Sequence, residues 1–330
     1  MGIKFSLLAV LALVAAAFLG VKVAGLTGFF GVFIPYVAIV TFLGGFIYRI
    51  LTWARSPVPF RIPTTAGQQL SFPWIKQNKL DNPTTTAGVV GRMVLEVLLF
   101  RSLFRNTKFE IRKGPSLYYQ WEKWLWLAGL AFHYSFFIIV VRHLRFFMEP
   151  VPFFVNQIER LDSFLQVGLP GIYITDLVFL VAVTYLFIRR VVIPQVKYVS
   201  LAADYFPLFL LLAVGISGVF MRYITKVDVI SIKQLVLGIV TFHPTVPEGI
   251  GSLFFIHFFL VCTLAAYFPF SKLMHLGGVF LSPTRNLPND SRINRHINPW
   301  DYPVKVHTYA EYEDHFRDKM IEAGLPVEKE

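Results

Sequence analysis

Two stretches decide the fold: WEKWLWLAGLAFHYSFFIIVVRHLRFF, residues 121–147, and GIGSLFFIHFFLVCTLAAYFPFSKLMHL, residues 249–276. Each is apolar over a membrane-spanning length, for which about 20 residues suffice. Each also carries two histidines, His133 and His143 in the first and His257 and His275 in the second. An imidazole at that depth costs free energy unless the interior of a bundle uses it, so such residues are functional candidates. Two on each of two helices point to two bis-histidine metal centres.

Outward from these stretches, the composition is that of a membrane protein: of 330 residues, 55% are hydrophobic and 15% charged, against roughly 25% charged in a soluble domain. The net charge of +11 is read through its distribution over loops. With no Arg/Gly-rich arm and no basic–aromatic groove outside the apolar runs, nucleic acid is not an expected partner; membrane lipid is. The one cysteine, Cys262, excludes a cysteine-ligated iron–sulfur cluster, which needs about four thiolates. No Cys-x-x-Cys-His occurs, which excludes covalently attached c-type haem.

The pattern predicts an all-α, polytopic transmembrane bundle of about six spans. The first covers residues 5–20; its small-residue end resembles a signal-peptide site, but Leu26 to Ile50 follows at once as a second span, which favours an uncleaved helix. The others are Trp121 to Phe147, opened by an aromatic belt of Trp121, Trp124 and Trp126, then Ile172 to Ile188, Tyr205 to Met221 and Gly249 to Phe270. Residues 1–25 are read as an extra helix, 26–281 as a five-span core and 282–330 as a soluble tail. Between Arg49 and Lys123 lies a basic, proline-rich loop. Within it, Val89 to Asn106 suits either a helix in the membrane interface or one buried against a partner.

Charge sets the orientation. With the amino terminus inside, Lys4, the cations from Arg49 to Lys123, Arg189, Arg190, Lys197 and those from Lys272 onward are cytoplasmic. Only Lys22, Arg142, Arg145, Arg160, Arg222, Lys226 and Lys233 are then outside. Both termini are predicted cytoplasmic, in the cytoplasmic (inner) membrane of a prokaryote. His143 then pairs with His257 near the outer face and His133 with His275 toward the inner face. The ten residues from His133 to His143 rise about 15 Å, comfortable for two stacked porphyrins, but the eighteen from His257 to His275 would rise about 27 Å. Pro269 must bend or end that helix.

Two axial imidazoles saturate haem iron, so each pair is expected to hold a b-type haem that carries electrons. Zinc is disfavoured, since no thiolate or carboxylate accompanies the histidines. The alternative is a non-redox transporter or scaffold using intramembrane histidines. Arg142 and Arg189 are candidate partners of haem propionates, with Arg145, Arg190 and Arg222 as further candidates. Asp176 is the first candidate to accept the proton of a quinol, ahead of Glu159, Asp162, His243 and Glu248, with helix capping as its other reading. His296, His307 and His315 read as surface residues of the tail.

The two histidine spacings, with five spans from about Leu26, resemble the membrane cytochrome b subunits of respiratory nitrate reductases and methanogen heterodisulfide reductases, over about residues 28–280. Longer stretches resemble the cytochrome b subunits of transmembrane redox complexes associated with dissimilatory sulfite reductase. They include Ser56 to Thr65, Leu99 to Asn106, Val141 to Phe147, Phe268 to His275, Leu281 to Leu287 and His307 to Asp314. The resemblance implies two haem b and menaquinone as redox groups. It also implies a cytoplasmic iron–sulfur partner like the heterodisulfide reductase catalytic subunit, a multi-haem cytochrome c, a periplasmic ferredoxin-like subunit and a second integral membrane subunit. Nitrate reductase relatives use a lysine on the outer loop after the first haem helix; here that loop has Arg160 instead.

Overall fold

A computed structural model describes residues 2–56, 67–112, 114, 116–163, 171–294, 300 and 302–328. Residues 57–65 of the Ser56 to Thr65 motif and His296 lie outside them. In chain order the helices begin with α1 (Gly2–Lys22) and α2 (Ile34–Ala54), the latter entered through a π-helical turn. Next come α3 (Thr86–Leu99) and α4 (Arg101–Phe104), the hairpin of β1 (Thr107–Arg112) and β2 (Ser116–Trp121), α5 (Lys123–His143) and α6 (Phe153–Asp162). They are followed by α7 (Ile174–Val192), α8 (Pro194–Tyr198), α9 (Ala202–Val219), α10 (Val229–Val240), α11 (Ser252–Tyr267), α12 (His275–Gly278) and α13 (Tyr309–Glu322).

Among the described residues, five helical stretches are long and apolar enough to cross a membrane: Gly2–Lys22, Phe29–Ala54, Lys123–Phe146, Ala202–Thr225 and Ser252–Phe270. The remaining expected span, α7, carries Asp176, Arg189 and Arg190 at its ends. Both ends are tied to α5. Arg142, at the close of α5, donates to Asp176 at 2.6 Å, and Arg189 donates to Glu122, just before α5, at 3.2 Å. The two helices are therefore antiparallel, and the 19 residues of α7 cover about 28 Å.

The same reasoning orients the rest. Ser6 Oγ donates to the Ala202 carbonyl, so α1 and α9 start side by side, while Tyr267 Oη at the end of α11 reaches the Ala203 carbonyl. The amino-terminal end, the starts of α5 and α9 and the segment after α11 thus share one side. An apolar core joins α1, α9, α10 and α11 around Leu210, Leu235, Phe255 and Leu260, and a smaller one joins α7 and α9 around Phe179, Val183 and Leu211.

The helix expected over Val89 to Asn106 is broken at Phe100, whose φ of 48° is left-handed. Its open carbonyls explain the docking. Trp126 Nε1–H donates to the Leu99 carbonyl at 2.7 Å and Tyr134 Oη–H to that of Leu98 at 2.9 Å, which sets α3 against α5. Arg92 is not on a solvated or lipid-facing surface but buried, donating to the carbonyls of Asp81, Arg285 and Leu287. It fastens the beginning of the tail to the loop, where Asn289 also bonds Asn82 and the Pro83 carbonyl. The hairpin, read above as loop, turns at Gly114 with φ of 92°.

Candidate functional site

All four intramembrane histidines arrive at one chemical state. His133 Nδ1 lies 2.7 Å from the Gly129 carbonyl, His143 Nδ1 2.7 Å from that of Ile139, and His275 Nδ1 2.8 Å from that of Lys272. A carbonyl only accepts, so each Nδ1 carries a proton, and in the neutral imidazole Nε2 then keeps the lone pair. His257 reaches the same tautomer differently. Ser217 Oγ gives its one proton to the Ala213 carbonyl at 2.7 Å and accepts from His257 Nδ1 at 2.9 Å. No Nε2 of the four has a hydrogen-bond partner among the described residues. A neutral imidazole fixed through Nδ1–H with a free Nε2 is the metal-binding form.

The fold brings His133 and His275 together, with ring centroids 5.9 Å apart and planes at 85°. The mismatch in spacing disappears because α11 ends at Tyr267. A 3-10 turn, Phe268–Phe270, contains Pro269; Ser271 is extended at φ −122° and ψ 177°; a second 3-10 turn leads into α12 at His275. Phe100 and Phe132 meet the His133 ring edge-on at 4.9 and 4.8 Å. At the other end of α5 stands His143, the last residue of that helix. Gly218 lets α9 approach the His257 ring, since a Cβ there would stand 3.3 Å from His257 Cε1.

The donor set fits haem iron. α5 packs chiefly on α7, and α11 on α2, α9 and α1, so the two histidine helices are not each other's main neighbours. His143 and His275 are exposed and His133 and His257 half-buried. Among the described residues no three His, Cys, Asp or Glu gather as ligands of a bare ion. Two neutral imidazoles per centre suit a metal whose other positions a macrocycle fills.

The other site candidates are already engaged. Arg142, 6% exposed, ion-pairs with Asp162 at 3.0 Å and Asp176 at 2.6 Å, and its guanidinium lies 3.7 Å from the centre of the Tyr173 ring. Arg222 covers the same ring at 3.8 Å. Asp176 accepts a second bond from Tyr223 Oη at 3.0 Å, and Asp162 accepts from the Thr175 backbone and hydroxyl. Arg189 is spent on Glu122, Arg190 on Ser200, and Arg145 on Glu159. His243 is exposed in its turn, and His307 and His315 lie together in the tail. Ser217, Tyr173 and Tyr223 have no sequence signal of their own, because each acts on a residue of another helix or loop.

Residues 89–293 match the family model described as nitrate reductase gamma subunit. The chain is 46% identical over 279 residues, 82% of its length and 83% of the relative's, to a protein of Archaeoglobus fulgidus named Hdr-like menaquinol oxidoreductase cytochrome b-like subunit. It is 44% identical over 275 residues, 81% of each chain, to a protein of the same name from Archaeoglobus profundus.

Proposed function

The chain belongs to the nitrate reductase gamma-subunit family of membrane cytochromes b, and from that premise we propose that it is the di-haem subunit of a quinol-linked redox complex. In this reading it carries electrons between menaquinol and a cytoplasmic, heterodisulfide reductase-like iron–sulfur subunit. The observation that supports it is the shared state of the four histidines, Nδ1 committed and Nε2 free, with His133 and His275 facing each other. When bound, two haem b supply one-electron carriage across the membrane.

The residues of the chain have distinct tasks in this account. His143 and His257 hold the outer centre, His133 and His275 the inner one, and Ser217 orients His257. The quinol site lies beside the outer pair, where Asp176 and Tyr223 form the hydrogen-bonded couple nearest the start of α7; Asp176 is the proposed proton acceptor through that couple. Both termini are cytoplasmic in this reading, which the charge asymmetry of the loops supports, and the tail from Ser282 docks the iron–sulfur partner. The complex also contains the multi-haem cytochrome c, ferredoxin-like and second membrane subunits that the resemblance implies, and it serves dissimilatory sulfur metabolism.

Purified complex reduced with dithionite is expected to show b-type bands, with two haems per chain by pyridine haemochrome assay and rapid reduction by a menaquinol analogue. Absence of b-type bands sinks the proposal. Asp176→Asn should slow reduction by quinol while both haems stay in place; loss of the outer haem instead would assign Asp176 to holding Arg142. A fluorescent-protein fusion to the carboxyl end should be bright, and a dark one would reverse the orientation.

A further inference from the structure

Beside the inner histidine pair, where α2, the end of α11 and the first turn of the tail meet, lies a cleft of about 740 Å³ whose wall includes Arg49, Trp53, Tyr267, Lys272, His275 and Arg285. Two of its three cations have partners: Lys272 donates to Asp204 at 2.6 Å, and Arg285 Nε stands 3.2 Å from Glu96 Oε1. Arg49 differs. Among the described residues it makes no hydrogen bond or ion pair; its guanidinium lies 5.6 Å from the centre of the Trp53 ring, and its Nε is buried without an acceptor. Leaving a buried donor of a charged group unsatisfied is unfavourable, so the site suits an anion that the described residues do not supply.

Its place identifies the anion. The cleft opens onto His275, whose ring stands 5.9 Å from that of His133, and the macrocycle that these imidazoles would hold bears two carboxylates on one edge. Arg142 and Arg189 are already paired with protein carboxylates. We propose that the cleft receives the propionate edge of the inner haem, with Arg49 as its principal partner and Arg285 and Lys272 beside it. Aromatic walls at Trp53 and Tyr267 and charge-assisted donors at the rim suit a flat ring with an anionic edge. This inference rests on the di-haem reading and adds to it a binding residue on α2, a helix that carries no histidine ligand.

Fixed positive charge beside a haem favours the reduced, less positive iron, and its effect falls with distance. Arg49→Gln in the full complex should therefore keep two haems per chain, lower the midpoint potential of the inner haem and leave that of the outer haem in place. Arg49→Lys should recover part of the shift. Haem-loss variants at His275 and His143 identify which midpoint is which. Two retained haems with no shift, or with equal shifts of both, overturn the proposal. Loss of a co-purifying anionic phospholipid with the inner potential unchanged also overturns it, in favour of a lipid headgroup. If Arg49→Gln prevents assembly, Arg285→Gln supplies the same comparison with a smaller expected shift. Fewer than two haems in the unsubstituted complex would instead be failure of the di-haem reading itself.

Discussion

An acceptor on Nδ1–H makes an imidazole a stronger donor through Nε2, and three of the four histidines take that acceptor from their own helix or turn, whereas His257 takes it from Ser217 on α9. Ser217→Ala removes this hydroxyl without touching the ring. The ligand becomes less basic, the ferric state is less favoured, and the outer haem should show a higher midpoint potential and on the order of 10- to 100-fold weaker retention. The inner haem should not change, and a potentiometric titration checks both. The histidines themselves were legible in the sequence because an ionisable group in an apolar run needs a reason. Ser217 was not, since a serine on an apolar helix routinely bonds the carbonyl four residues back, as this one also does with Ala213. Arg142 read as a candidate partner of a haem propionate because its partners, Asp162 and Asp176, lie on other elements.

At the scale of elements, the termination of α11 matters most. Pro269 and the extended Ser271, whose hydroxyl accepts from the Leu273 backbone N–H at 3.2 Å, together stop the helix and turn His275 toward α5. Replacing both with alanine removes a proline penalty of about 3 kcal/mol and a cap contribution of about 1 kcal/mol, so α11 should continue. His275 would then move toward the straight-helix position about 27 Å from His257. The double variant Pro269→Ala/Ser271→Ala is expected to lose the inner haem and keep the outer one, read as a fall from two haems to one. A bend or an end at Pro269 was foreseeable from the unequal spacings. The break at Phe100 was not, because a left-handed non-glycine residue is set by what the flanking helices dock against. The β-hairpin was hidden by basic and aromatic residues that read equally well as a membrane-edge loop.

For the whole molecule, hydropathy and charge made the helical bundle legible, while the joining of the loop to the tail depended on contacts nearly two hundred residues apart, as from Arg92 to Arg285 and Leu287. Arg92→Met would leave three carbonyls without their donor, a loss of about 3 kcal/mol or more. Faster proteolysis around residues 282–294 with an unchanged b-type spectrum is the expected result. The packing of α5 on α7 and of α11 on α1, α2 and α9 leaves the two histidine helices without each other as main neighbours. That two rungs of paired histidines join them is the central claim. It is tested most directly by counting haems and titrating their potentials in His133→Ala, His275→Ala, His143→Ala and His257→Ala. Each variant should keep one haem, with His133→Ala and His275→Ala losing one centre and His143→Ala and His257→Ala the other; loss of different haems within either pair would contradict the account.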